Sequence, residues 1–169
     1  MRNLRTSILI LAVALLAAAL VVPVASSAAS KTKPKPKKIA FTGSYSGQAS
    51  SKVDGNTAAI SANGTGLGKL IGAGSISGSG SADSSQQPCP PFGGTGSIKG
   101  AKGTILFKVV TGAKGCGDEG GHVFSLVGYL AVTKATGTLA KAKGQLRFTG
   151  TYDRDAGTFA IKLTGTLKK

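Results

Sequence analysis

Glycine at alternating positions of strand-like segments limits what this chain can fold into more than any other feature. All 26 glycines lie beyond Ser30, and a short phrase built around one of them recurs. It appears as Thr42-Gly43-Ser44-Tyr45, Ala73-Gly74-Ser75-Ile76, Thr95-Gly96-Ser97-Ile98, Lys102-Gly103-Thr104-Ile105, Thr136-Gly137-Thr138-Leu139, Thr149-Gly150-Thr151-Tyr152 and Thr164-Gly165-Thr166-Leu167. The spacings are irregular, which excludes a solenoid of fixed repeat. A glycine inside a strand weakens it locally but relieves crowding where a sheet bends or another backbone comes close. Several on inward faces predict a sheet curled tightly enough to close.

No stretch beyond Ser30 carries a helical period; the chain reads as short strands between Gly, Ser, Asn and Asp turns. The last third is clearest. Between Gln145 and Tyr152, Leu146, Phe148 and Tyr152 share one face with Gly150 between them, while Gln145, Arg147, Thr149 and Thr151 share the other. The same rule turns Phe159, Ile161, Leu163 and Leu167 inward and Thr158, Lys162, Thr164 and Thr166 outward. Asp153 to Gly157 is a short polar turn, so the two segments form an antiparallel hairpin. Thr104–Val110 and Val123–Thr133 are apolar on both faces in places, as central or subunit-facing strands are. Ser81–Gly96 is the least strand-like piece and reads as a long loop carrying Cys89. The predicted fold class is all-β: a small antiparallel barrel of about eight strands, because closure removes exposed edges, with a β-sandwich as the alternative.

The N-terminus sets the compartment. Arg2 and Arg5 precede a run without charge from Thr6 to Ser30, the order of a signal peptide covering residues 1–29, with cleavage after Ala28 or Ala29. An uncleaved membrane anchor is the alternative, but Ile8–Val22 is shorter than the roughly 20 residues that span a bilayer. Residues 30–38 follow as a solvated spacer, since Lys31, Lys33, Lys35, Lys37 and Lys38 with two prolines can bury nothing. Residues 39–169 form one domain. Its two cysteines, Cys89 and Cys116, read as a disulfide in an oxidising compartment, with free thiols or a redox pair as alternatives lacking C-x-x-C spacing.

The stretch Thr136-Gly137-Thr138-Leu139-Ala140-Lys141-Ala142-Lys143-Gly144-Gln145-Leu146, followed by Phe148 to Tyr152 and Gly157-Thr158-Phe159, resembles the T-G-x-F-A-x-A-x-G-x-L pattern of secreted bacterial barrels of unknown function. More distantly it is similar to the G-x-F-x-x-A-x-G turn of allene oxide cyclase-like and dirigent-like barrels. The resemblance covers the last quarter of the chain, and Leu139 stands where those proteins usually carry Phe. It implies an eight-stranded antiparallel barrel, often oligomeric, and transfers no catalytic residue.

Candidate chemistry is sparse. His122, the single histidine, follows Asp118-Glu119-Gly120-Gly121, where a metal or acid/base cluster competes with a plain solvated turn. Asp153 and Asp155 offer a carboxylate pair, but Asp is also favoured in hairpin turns for bonding its own backbone. No G-x-S-x-G or phosphate-binding loop is present, and Gly64-Thr65-Gly66-Leu67-Gly68 lacks a following helix. No catalytic residue, metal or cofactor is expected.

Charge carries more. From Ser30 onward, 19 Lys and Arg face 6 Asp and Glu, a net charge of about +13, of which the spacer supplies +5. Such a protein is drawn to anionic envelope polymers or lipid headgroups, while low aromatic content argues against sequence-specific nucleic-acid binding. Three functions fit: a non-catalytic, envelope-associated module with Lys31, Lys33, Lys35, Lys37 and Lys38 as its polyanion-contact set; a barrel holding a small apolar ligand or acting as a cyclase; and a Thr149, Thr151, Thr164, Thr166 face that binds an ice-like lattice. A homo-oligomer is compatible with each.

Overall fold

The computed structural model describes residues 35–169. The predicted signal peptide and Lys31 and Lys33 of the spacer lie outside the described residues. Nine strands form: β1 (Lys38–Asp54), β2 (Thr57–Gly68), β3 (Gly72–Asp83), β4 (Phe92–Gly100), β5 (Gly103–Val109), β6 (Lys114–Gly117), β7 (Val123–Ala135), β8 (Gln145–Asp153) and β9 (Thr158–Lys168). Each pairs antiparallel with its neighbour, β5 pairs with β7, and β9 returns to β1. The result is a closed eight-stranded up-and-down barrel with β6 as a short extra strand, not a sandwich. The sheet begins one residue before Ile39, at Lys38, and the backbone of Lys37 exchanges two 2.9 Å hydrogen bonds with Lys169.

A barrel this narrow cannot carry a large side chain at every inward position. The register solves this by setting rings against glycines: Phe41 faces Gly165, Tyr45 faces Gly66, Phe107 faces Gly96 and Phe148 faces Gly128. The fit is tight. A Cβ added to Gly66 would lie 2.6 Å from Tyr45 Cδ1, and one on Gly128 would lie 2.6 Å from Ala113 Cβ and 2.7 Å from Phe148 Cζ.

The predicted C-terminal hairpin is present as β8 and β9, with Leu146, Phe148, Phe159, Leu163 and Leu167 buried. The expected Ser81–Gly96 loop is a correction. β3 runs to Asp83 and β4 starts at Phe92, leaving only Ser84–Pro91 between them. Alternation of apolar side chains cannot reveal these strands, because Gly78 pairs with Gly96 and Gly80 with Gly94.

One end of the barrel is plugged. The β7–β8 connection, which carries the Thr136–Gly144 motif, crosses it as a 3-10 turn, Gly137–Leu139, and drives Leu139 and Ala142 into the interior. Thr138 Oγ1 donates to Leu70 O at 2.9 Å, and Lys143 and Lys168 exchange two backbone bonds. Gly137, at φ +61°, is required here, since a side chain there would also strike the Lys102 carbonyl. Above the plug, Phe41, Ile71, Ile98, Ile105, Leu146, Leu163 and Leu167 fill the bore completely.

Leu139→Ala should therefore lower unfolding free energy by about 2–5 kcal/mol, the usual range for emptying a fully packed Leu site. Gly128→Val should lower it by about 1–3 kcal/mol through overpacking against Phe148. Urea unfolding midpoints at unchanged slope would measure both.

Candidate functional site: an apolar cup with charged ends

The opposite end is open. Toward it the bore widens into a cavity of about 170 Å³ lined by Ile60, Ile76, Phe92, Phe107, Val109, Leu126, Leu130, Phe148, Tyr152, Phe159 and Ile161, with Ala49, Ala62 and Gly78 to Gly80 on the other wall. Leu146 belongs to the packed base, while Phe148, Phe159 and Ile161 line the cavity. Tyr152 donates its hydroxyl to Ser51 Oγ at 3.2 Å. A wider surface groove of about 640 Å³ meets the cavity at Phe92 and Val109 and adds the polar Ser81, Asp83 and Ser85.

Tyr45 is the one fully buried ring with a hydroxyl, and that hydroxyl has no hydrogen-bond partner among the described residues. Burial raises its pKa. It lies against Gly68 in the packed part of the bore and does not line the cavity.

The wall beside the cavity has a seam. β5 and β6 lie end to end along one edge of β7, interrupted at residues 110–113. Across from β6 runs Pro88-Cys89-Pro90-Pro91, whose prolines have no N–H to donate. Along the prolines the bonds run one way, Gly115 N–H donating to Pro90 O at 3.1 Å and Gly117 N–H to Pro88 O at 2.8 Å, and the return bond comes from just beyond them, Phe92 N–H to Ala113 O at 3.0 Å. The Cys89–Cys116 disulfide, with Cα atoms 3.9 Å apart, joins the two segments at this point. Cys116 thus sits in a short strand and not in the loop its glycine neighbours imply.

At the rim, His122 Nδ1 meets Asp155 Oδ2 at 2.5 Å, and Asp118 Oδ1 accepts the His122 backbone N–H at 2.7 Å. That N–H, ahead of smaller contributions, holds the Asp118 carboxyl below its ordinary value. Asp83 is likewise lowered, by Ser85 Oγ first, then by Ser85 N–H and Gln86 Nε2. Asp153 accepts the Ala156 N–H, the turn role expected of it. His122 and Asp155 are each more than half exposed, and neither lines the cavity, so the pair fastens the β8–β9 turn to the start of β7. Among the described residues no three His, Cys, Asp or Glu are placed to hold a metal. Sequence spacing could not reveal the pair, since its members are 33 residues apart.

Charge is sorted between the ends. Asp54, Asp83, Asp118, Glu119, Asp153 and Asp155, all the acids of the chain, lie at or beside the open-end turns. At the plugged end lie Lys35, Lys37 and Lys38, Lys69, Lys99 and Lys102, Lys141 and Lys143, and Lys168 and Lys169, every one exposed, while Lys52, Lys114 and Arg154 accompany the acids near the open end. The signal for this was legible: in an up-and-down meander alternate turns share an end, and acids and lysines occupy alternate turns.

The four threonines do not align. On the outer surface Thr164 stands opposite Arg147, and Thr149 opposite Lys162, so basic side chains interrupt any flat row. Compared with known proteins, the chain matches no family model, no curated protein and no solved structure.

Two outcomes follow from the rim and the seam. Cys89→Ala with Cys116→Ala should lower stability by roughly 3–4 kcal/mol on the chain-entropy account of a 27-residue separation, read by urea unfolding. The Asp118 contribution should be intact above the ordinary carboxylate value of 3.8 and vanish as pH falls through its lower folded value. The His122 amide resonance should report that transition, and Asp118→Ala should abolish it.

Proposed function

We propose that this chain is an exported, non-catalytic binding barrel that attaches by its plugged end to an anionic envelope polymer. The observation that carries this reading is the sorting of charge. The lysines of three chain connections and both sheet termini converge on one pole, and in sequence Lys31 and Lys33 precede the first of them. Each Lys near an anionic surface adds about 1 kcal/mol at most, so a clustered pole attracts where scattered charge would not. The acids at the opposite pole orient the molecule, holding the mouth away from the surface. Export is supported by the leader-like order of residues 1–29 together with the disulfide, which belongs in an oxidising compartment.

Lys37 and Lys38 take part in backbone pairing, so the test replaces side chains and leaves the backbone whole. One variant carries Gln at Lys31, Lys33, Lys35, Lys37 and Lys38. A second carries Gln at Lys69, Lys99, Lys102, Lys141 and Lys143, and a control carries Gln at Lys52 and Lys114 near the mouth. Co-sedimentation with a polyphosphodiester polymer should weaken by about tenfold or more in each pole variant, stay unchanged in the control, and fall steeply with salt. Equal loss in the control would overturn the oriented reading. Salt-independent binding would overturn the electrostatic one. A parallel arm with anionic phospholipid vesicles distinguishes a lipid partner, which would bind there and not to the polymer.

A further inference from the structure

We propose that the open half of the bore is a binding site for a small, uncharged, single-ring aromatic or similarly compact apolar molecule. The cavity arises from one layer of the barrel. Ala49 pairs with Ala62 and Ala62 with Gly78, so three successive strands present small residues side by side in the cavity wall. Facing them are Phe92, Phe107, Phe148, Phe159 and Tyr152.

Backbone crowding does not explain the whole of this layer. A Cβ on Gly96 would run into the Ser77 carbonyl and the Phe107 ring, and one on Gly80 or Gly94 into the neighbouring strand. Gly78 differs. The nearest atom to its added Cβ is Thr95 O at 3.2 Å, and the next is at 3.8 Å. Gly78, with Ala62 beside it, leaves room that a larger residue could occupy with a shift of only a few tenths of an ångström at the Thr95 carbonyl. In a bore otherwise filled by Leu, Ile and Phe, that room is shaped for something other than the chain itself.

The lining fixes the chemistry. It holds no charged side chain, and the Tyr152 hydroxyl is engaged by Ser51, so no group waits for an ionic or strongly polar ligand. The volume, about 170 Å³, is close to the roughly 150 Å³ of an apolar cavity that takes up benzene. The aromatic wall offers edge and face contacts to a ring. The mouth bears the six acids of the chain against Lys52, Lys114 and Arg154, an acidic balance that disfavours a carboxylate approaching from solvent. This site is independent of polymer attachment, which uses the other pole.

Toluene and benzoate, equal in ring size and different in charge, are the probes. They are titrated into the disulfide-bonded protein and followed by side-chain resonances of Leu126, Phe148 and Phe159. Toluene should give saturable shifts at these residues, and benzoate should bind at least about tenfold more weakly. Ala62→Leu should reduce toluene affinity by about tenfold or more while co-sedimentation with polymer is retained. Gly78→Val provides a second filled cavity should Ala62→Leu fail to fold. Absence of saturable shifts with toluene, equal binding of benzoate, or unchanged toluene affinity in a folded cavity-filled variant would overturn the proposal.

Discussion

Steric complementarity across neighbouring strands, a ring on one and a glycine on the next, is the constraint on which the rest of this molecule depends. Closure gives every strand two partners but leaves a bore too narrow for large residues all round. Tyr45, Phe107 and Phe148 fit because Gly66, Gly96 and Gly128 yield the space. Glycine is entropically unfavourable in a strand, and the barrel tolerates it because hydrogen bonding on both sides of each strand and the packed base offset the loss.

From that constraint the two halves diverge. Near the plug, large residues meet in the centre and exclude all solvent, with Leu139 entering along the axis. Near the mouth, small residues fall in one layer and the centre stays open. A seam in the wall also lies there, where prolines remove donors from a short ladder and a disulfide joins its two sides. A cup that is rigid at its base and stapled at its rim can hold its opening without a lid.

How much of this was legible depends on what each strand offers to pattern reading. β8 and β9 alternate large apolar with polar residues, so their faces and their turn could be read directly. β3 and β4 alternate glycine with serine or threonine, and a pattern without bulk leaves no mark of burial, which is why Ser81–Gly96 read as loop. The disulfide followed from compartment and an even count. His122 and Asp155 meet only because the turn after β8 folds over the start of β7, a tertiary fact with no local signature. The cavity belongs to the same class. Ala49, Ala62 and Gly78 carry no signal singly, and only the register sets them side by side in the cavity wall.

The meander has a kinetic corollary. Most neighbouring pairs join segments adjacent in sequence, and such hairpins form early because little chain entropy opposes them. The pairing of β1 with β9 is different in kind: Lys38 meets Lys168, so nearly the whole described chain is the loop that must close. That step completes the ring and can come only after the curvature is in place. The covalent link between Cys89 and Cys116 shortens the path around that loop without touching the closing strands. Because loop-closure cost grows only slowly with length, a link spanning 27 residues of that long loop eases the closing of the ring on the far side of the molecule only slightly.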